Sequence, residues 1–145
     1  MRVFVPGSVE EIKHYSSGHW EPDRGYAVTE RLLEISAYDD PDELAEQARD
    51  AAAEDSIVVL GSRLRLVVAI DVSRADAVPV PDAHPAAVTI TGRVMPDSIA
   101  CIFLDEPEAE ADARAAAGGD EDALERLEER DLLWYDVSEL DRLPV

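Results

Sequence analysis

Between Arg63 and Asp71 the chain reads Leu64-Arg65-Leu66-Val67-Val68-Ala69-Ile70, a run that is almost continuously apolar. A strand wetted on one face alternates apolar and polar residues, whereas a run without alternation buries both faces. Leu64 to Val72 therefore predicts a central strand with structure packed on each side. The rest of the chain has to supply those two layers.

Upstream, Val3 to Val5 is a short β-prone run ended by Pro6-Gly7. Ser8-Val9-Glu10-Glu11 has the S-x-x-E pattern of a capping box, so a helix is expected from Val9, with Ile12 and Tyr15 on its apolar stripe. Ser16-Ser17-Gly18 stops it, and His19 to Gly25 reads as loop. Thr29 caps a second helix reaching Ser36. A third starts where Asp40 caps, Pro41 takes the first helical position, and Asp42 and Glu43 meet the positive end of the helix dipole. Leu44, Ala48, Ala51 and Ala52 form its apolar face. Ile57-Val58-Val59-Leu60 reads either as a strand turning at Gly61-Ser62 or as the last turns of that helix capped by Gly61, the helix being preferred.

Past the central strand, Pro79, Pro81 and Pro85 make Ala75 to Pro85 an extended connection. Ala87 to Thr91 and Ile99 to Leu104 read as strands. The Ala- and Glu-rich tract from Pro107 to Arg130 reads as two helical pieces broken at Gly118-Gly119, the second capped by Asp120. Leu132 to Tyr135 returns as a short apolar segment. The order β-α-α-α-β-β-β-α-β segregates helices from strands and predicts an α+β class. The expectation is a single domain over residues 1–145, with a mixed β-sheet of four or five strands and helices mainly on one face.

Charge narrows the choice of partner. Pro96 to Val145 carries 16 Asp+Glu against 4 Arg, which is −12 of the chain's −20. Such a surface repels phosphate backbones and anionic lipid, so neither nucleic acid nor membrane is an expected partner. No stretch approaches the roughly 20 apolar residues of a membrane span, and Met1 to Gly7 lacks the features of a signal peptide. The lone Cys101 sits in an apolar run, where an inert thiol is expected. A cytoplasmic location fits these features.

Asp71, Asp105 and Glu106 form the one arrangement with catalytic potential. Both aspartates end predicted strands, where ligands of open α/β sheets bind, and convergent carboxylates hold Mg²⁺ or divide acid and base roles. The competing account is that acidic residues end strands wherever a chain meets water. His14, His19 and His84 lack the spacing and companion ligands of a zinc site. Glu106, Glu108, Glu110 and Asp112, two apart, scatter around a helix instead of converging. Pro6-Gly7-Ser8 lacks the glycine and lysine pattern of a phosphate loop, and no G-x-S-x-G elbow exists. No cofactor follows from these patterns. Trp134 and Tyr135 either seal the core or anchor a contact with another chain.

The blocks Arg2-Val3-Phe4-Val5-Pro6, Tyr26-Ala27-Val28-Thr29, Asp42 to Ala48, Arg65 to Val72 and Asp131-Leu132-Leu133-Trp134-Tyr135 with Glu139-Leu140 follow one another in fixed order. They resemble an uncharacterised family of small acidic cytoplasmic proteins from actinobacteria that open on an R-V-Y-V-P-like strand and close on L-L-W-Y. Phe4 stands where tyrosine is usual, Glu30-Arg31 replaces an expected Pro-Ala, and Ser73 to Pro85 is unmatched. The resemblance implies a bacterial single-domain protein with helix continuing through Ile57–Leu60. It makes Tyr26, Thr29, Trp134 and Tyr135 candidates for a shared surface, and it brings no activity.

The leading expectation is a non-enzymatic accessory domain that binds a protein partner or itself. The alternative is a small metal-dependent hydrolase or nucleotide-handling enzyme built on Asp71, Asp105 and Glu106. A third reading has the acidic C-terminal third imitating nucleic acid to occupy a basic protein site. The charge argument is tested by electrophoretic mobility: the protein is expected to leave DNA and RNA unshifted at moderate salt. Sub-micromolar, salt-sensitive binding would instead reveal a basic patch, with Arg63, Arg65 and Arg74 the cluster responsible.

Overall fold

The apolar run forms a central strand. The computed structural model describes residues 1–36 and 40–145. Its strands are β1 (Arg2–Gly7), β2 (Arg24–Ala27), β3 (Leu66–Asp71), β4 (Ala77–Pro79), β5 (Ala87–Ile90), β6 (Ile99–Leu104) and β7 (Leu133–Asp136). They make one sheet in the order β4-β5-β2-β1-β3-β6-β7, with β3 paired to β1 and β6. Leu66 to Ile70 are all fully buried.

Two expectations about the sheet are corrected. It has seven strands instead of four or five, and it is antiparallel at every pairing instead of mixed. The first additional strand, β2, falls partly where a loop was expected, because Gly25 reads as a breaker. Here glycine is required: a Cβ at Gly25 would lie 2.6 Å from Val3 Cγ1 and 3.0 Å from Phe4 O. The second, β4, lies within the proline-rich connection. It is an edge strand, the position where a proline such as Pro79 is tolerated. The sheet is not mixed because β2 and β3 both pair antiparallel with β1, which lies between them. They run in the same direction one strand apart, and the helical crossover joining them passes over β1.

That crossover is α2 (Glu30–Ile35) followed by α3 (Pro41–Val58). Thr29 Oγ1 accepts from Leu32 N–H at 3.1 Å, and Asp40 Oδ1 accepts from Asp42 N–H at 2.9 Å, so both expected caps form. α3 runs through Ile57 as preferred. Gly61, at φ +65°, ends it, with Gly61 N–H donating to Ile57 O and Ser62 N–H to Ser56 O. Leu44, Ala48 and Ala52 pack with Leu32 against Phe4, Val67, Ala69 and Cys101 on one sheet face. On the other face, Val3, Val5, Leu66, Val68, Ile70 and Ile102 pack with Val9, Tyr15, Trp20, Leu140 and Leu143. This cluster takes in a 3-10 turn (Val9–Glu11) with α1 (Ile12–Tyr15), a terminal 3-10 segment (Val137–Arg142), and Ala113, Ala116, Ala123 and Leu127 from the helices that follow β6.

The S-x-x-E pattern does not close as a capping box. Ser8 N–H donates to Tyr15 Oη at 2.6 Å, so Glu11 has no donor to meet there, and Ser8 Oγ donates to Glu10 Oε2 at 2.5 Å. After β6 come α4 (Glu110–Ala117) and α5 (Glu121–Glu128), broken at Gly118-Gly119 with Asp120 as cap, as expected. The two helices pack on each other, and α4 packs on α3.

Burial of the Tyr15 ring penalises its phenolate and pushes the phenol from an ordinary value near 10 up to about 12. Its folded pKa exceeds the unfolded one, so the associated stability is fully present below about pH 10 and is lost as pH rises through about 12. Urea unfolding across that window should show falling stability, with a shallower slope in Tyr15→Phe. An unchanged slope would remove Tyr15 as a source of the alkaline sensitivity.

Candidate functional site

The structure does not bring Asp71, Asp105 and Glu106 together. β3 and β6 are antiparallel, so their C-terminal ends lie at opposite ends of the sheet, as the pairings Arg2↔Asp71 and Leu66↔Leu104 mark. From the Arg65 level to Asp71 is roughly 20 Å at about 3.3 Å per residue. Each carboxylate also meets a different arginine. Asp71 accepts from exposed Arg2 through two bonds of 3.1 Å. Glu106 accepts from Arg130 Nη1 at 2.6 Å.

Asp105 is fully buried, and so is almost all of Arg65. Arg65 Nη2 donates to Asp105 Oδ1 at 2.7 Å, and Nε and the Arg65 backbone N–H each donate to Oδ2 at 2.9 Å. The ladder continues between the same residues, with Asp105 N–H donating to Arg65 O at 3.1 Å. Arg65 Nη2 also reaches Arg130 O at 3.2 Å, tying the end of the helical hairpin to the sheet. The sequence held a partial signal for this pair: Arg65 is the one charge inside its apolar run, and Asp105 is the first charge after the other run, with the opposite sign. Among the described residues no three His, Cys, Asp or Glu side chains are grouped so as to hold a metal ion.

A cleft of about 480 Å³ lies between α3 and α5, above this pair. Glu46, Asp50, Glu54, Glu128 and Asp131 make it acidic, and among the described residues no Ser, Thr, Cys or Lys lines it. Arg65 and Arg130 are held by Asp105 and Glu106, while Arg49 bonds Asp50 and lies 5.3 Å from the Phe103 ring centre. His84 Nδ1 accepts from Ala86 N–H at 3.0 Å. Each arginine that lines the cleft is thus paired with a carboxylate.

The four aromatic and polar candidates divide into two places. Thr29 is buried: its hydroxyl donates to Pro85 O at 2.5 Å while its oxygen caps α2. Tyr26 is half-buried, its hydroxyl donates to Asp55, and its ring meets His84 edge-on with centroids 5.6 Å apart. Burial, with Asp55 beside it, raises the Tyr26 phenol far above its ordinary range. Both residues fix the β4–β5 loop and α3 to β2, so their geometry is that of internal braces.

Trp134 and Tyr135 lie on the edge strand β7, with three strands between it and β2. Successive strand residues point to opposite faces. Tyr135 packs half-buried against the core, whereas Trp134 is 59% exposed. The core alternative for Trp134 is thereby corrected: its partner on β6 is Phe103, on the face beside α3, and among the described residues no helix buries the indole there. The neighbouring Leu133 is 41% exposed on the opposite face. Cys101 beneath is buried, and burial raises its thiol above the ordinary value, against the opposing effect of a hydrogen bond with Trp134.

The chain belongs to a family of unknown function, DUF6912, whose model matches residues 1–143. No curated protein and no solved structure gives a significant match.

The contrast between the two aspartates is measurable by denaturant unfolding. Asp105→Asn leaves the buried Arg65 charge uncompensated and should cost about 3–5 kcal/mol. Asp71→Asn breaks a solvent-exposed pair and should stay within about 1 kcal/mol. Equal effects at the two sites would mean that the buried fork is not what holds β3 to the end of β6.

Proposed function

We propose that this chain is a non-enzymatic accessory domain that binds a protein partner through the outer side of β7, with Trp134 as the anchor. The observation that carries the reading is the exposure of Trp134, at 59%, on a strand that has no neighbour on its outer side among the described residues. A large indole held on a rigid strand contributes contact area at low entropic cost, which is why tryptophan is enriched among the residues that dominate binding energy. Tyr135, packed behind it, fixes the strand. Tyr26 and Thr29 do not belong to this surface, because their polar groups are engaged within the fold.

The alternative built on Asp71, Asp105 and Glu106 finds no support in their arrangement, since a shared divalent ion needs convergent oxygens at about 2.0–2.6 Å. The charge of −20 favours a protein partner over nucleic acid, and a cytoplasmic setting would keep Cys101 reduced.

The test pairs folding with association. Trp134→Ala removes an exposed side chain, so its melting temperature and circular dichroism should match those of the parent protein. A partner captured by the tagged parent protein from its own host, and then purified, should bind Trp134→Ala roughly tenfold or more weakly, about 1.4 kcal/mol. A variant that stays folded and keeps full affinity would refute the anchor. Light scattering on the parent protein alone detects a second copy as the occupant.

A further inference from the structure

We infer that the occupant of β7 is an extended, basic segment of a partner that pairs with the outer edge of the strand and lays side chains against Trp134. This rests on the reading of β7 as the binding surface and adds the chemistry and conformation of what binds. In an antiparallel ladder alternate residues direct their N–H and C=O groups to opposite sides. Asp136 N–H turns away from β6 and donates to Glu139 Oε2 at 2.9 Å. Trp134, two residues earlier on the same side, therefore presents its N–H and C=O along the outer edge. The capping box at Asp136 closes that edge on one side and leaves Trp134 as its open station.

The two ends of the sheet are not equivalent. The opposite edge, β4, has three residues and ends on Pro79, which lacks an N–H to donate. Edge strands are commonly blunted with charge, above all lysine, or with proline. β7, four residues long, carries neither proline nor lysine; its one charge, Asp136, sits at the end closed by the capping box, and the strand exposes Leu133 on one face and Trp134 on the other. An edge of this kind is suited to strand addition, where main-chain bonds supply affinity and alternate side chains supply selectivity.

Charge selects the partner. From Asp131 to Asp141 the chain has Asp131, Asp136, Glu139 and Asp141 and no basic residue. Arg130, just before, is engaged by Glu106, and Arg142, just after, turns to Ser138 O. A strand with lysine or arginine at alternate positions would set those groups on the face that Trp134 shares with Asp136, while its other side chains meet Leu133 on the opposite face. A second copy of the chain would bring the same acids and another −20 to the same edge. That repulsion favours a basic partner over self-pairing.

The experiment uses the full chain and synthetic peptides of about ten residues, long enough to match the strand. The first alternates Lys and Val, the second alternates Glu and Val, and the third has the composition of the first but with its lysines and valines in two separate blocks. The readouts are affinity by fluorescence anisotropy and amide hydrogen exchange by NMR. The alternating Lys–Val peptide should bind at least roughly tenfold tighter than either control, with affinity falling as salt rises. It should slow exchange of the Trp134 amide, and Trp134→Ala should weaken its binding.

Equal binding of the block peptide would mean that charge alone is recognised, and strand addition would be overturned. Tight binding without protection of the Trp134 amide would overturn it as well. A dimer that Trp134→Ala dissociates would replace the basic partner with a second copy. These outcomes are separable from failure of the broader reading. A host partner that loses affinity for Trp134→Ala while the Lys–Val peptide neither competes nor protects leaves the surface assignment standing and removes strand pairing. A host partner indifferent to Trp134→Ala removes both.

Discussion

The Arg65–Asp105 fork joins the start of β3 to the residue that ends β6, and the register of the sheet's central pair depends on it. A buried charge without a partner is strongly unfavourable, so neither strand can slip by one residue without stranding an arginine or a carboxylate in the core. The same guanidinium reaches the Arg130 carbonyl, which sets where the chain leaves α5 and enters β7. Such a pair is a weak source of net stability compared with apolar side chains of equal volume. Its contribution here is uniqueness of register, because one carboxylate accepts three donors from the residue opposite it.

That constraint explains why the chemistry suggested by the carboxylates is absent from the geometry. A site built from strand ends needs those ends on the same edge of the sheet, as in parallel α/β architectures. The antiparallel pairing of β3 with β6 sends the ends apart, and three separate arginines then engage Asp71, Asp105 and Glu106. The acidic balance of the chain remains a surface property, concentrated around the helical hairpin and β7. The helical layer lies over β1, β2 and β3 and leaves the Trp134 face of β7 open to solvent. The fold thus delivers an exposed indole on its edge strand and braces the other aromatic candidate, Tyr26, internally.

Much of the local structure was legible in the residues. The caps at Thr29, Asp40 and Asp120, the break at Gly118-Gly119, and the strands at Val3, Leu66, Ala87, Ile99 and Leu133 each follow from short-range chemistry. The exceptions are equally specific. Gly25 reads as a breaker in sequence, yet β2 needs it because Val3 and Phe4 approach too closely for any Cβ. Ser8 and Glu11 have the spacing of a capping box, but a phenol seven residues away takes the donor. Pro79 reads as loop and is tolerated only because β4 lies at an edge.

The sequence by itself determined five of the seven strands, the helices of the crossover and of the hairpin, the two-faced burial of the central strand and the sign of the surface. These depend on side-chain patterning, local hydrogen bonds and summed charge, none of which requires knowing what lies across space. The tertiary structure alone decided strand order, the meeting of Arg65 with Asp105, the separation of Asp71 from Asp105, and the exposure of Trp134. Each of these depends on which strands become neighbours and in which direction, a contest among non-local pairings that no window of adjacent residues encodes. Tyr135 and Trp134 show this most simply: adjacent aromatics of similar chemistry, with only the pairing of β7 to β6 deciding that one faces the core and the other the solvent.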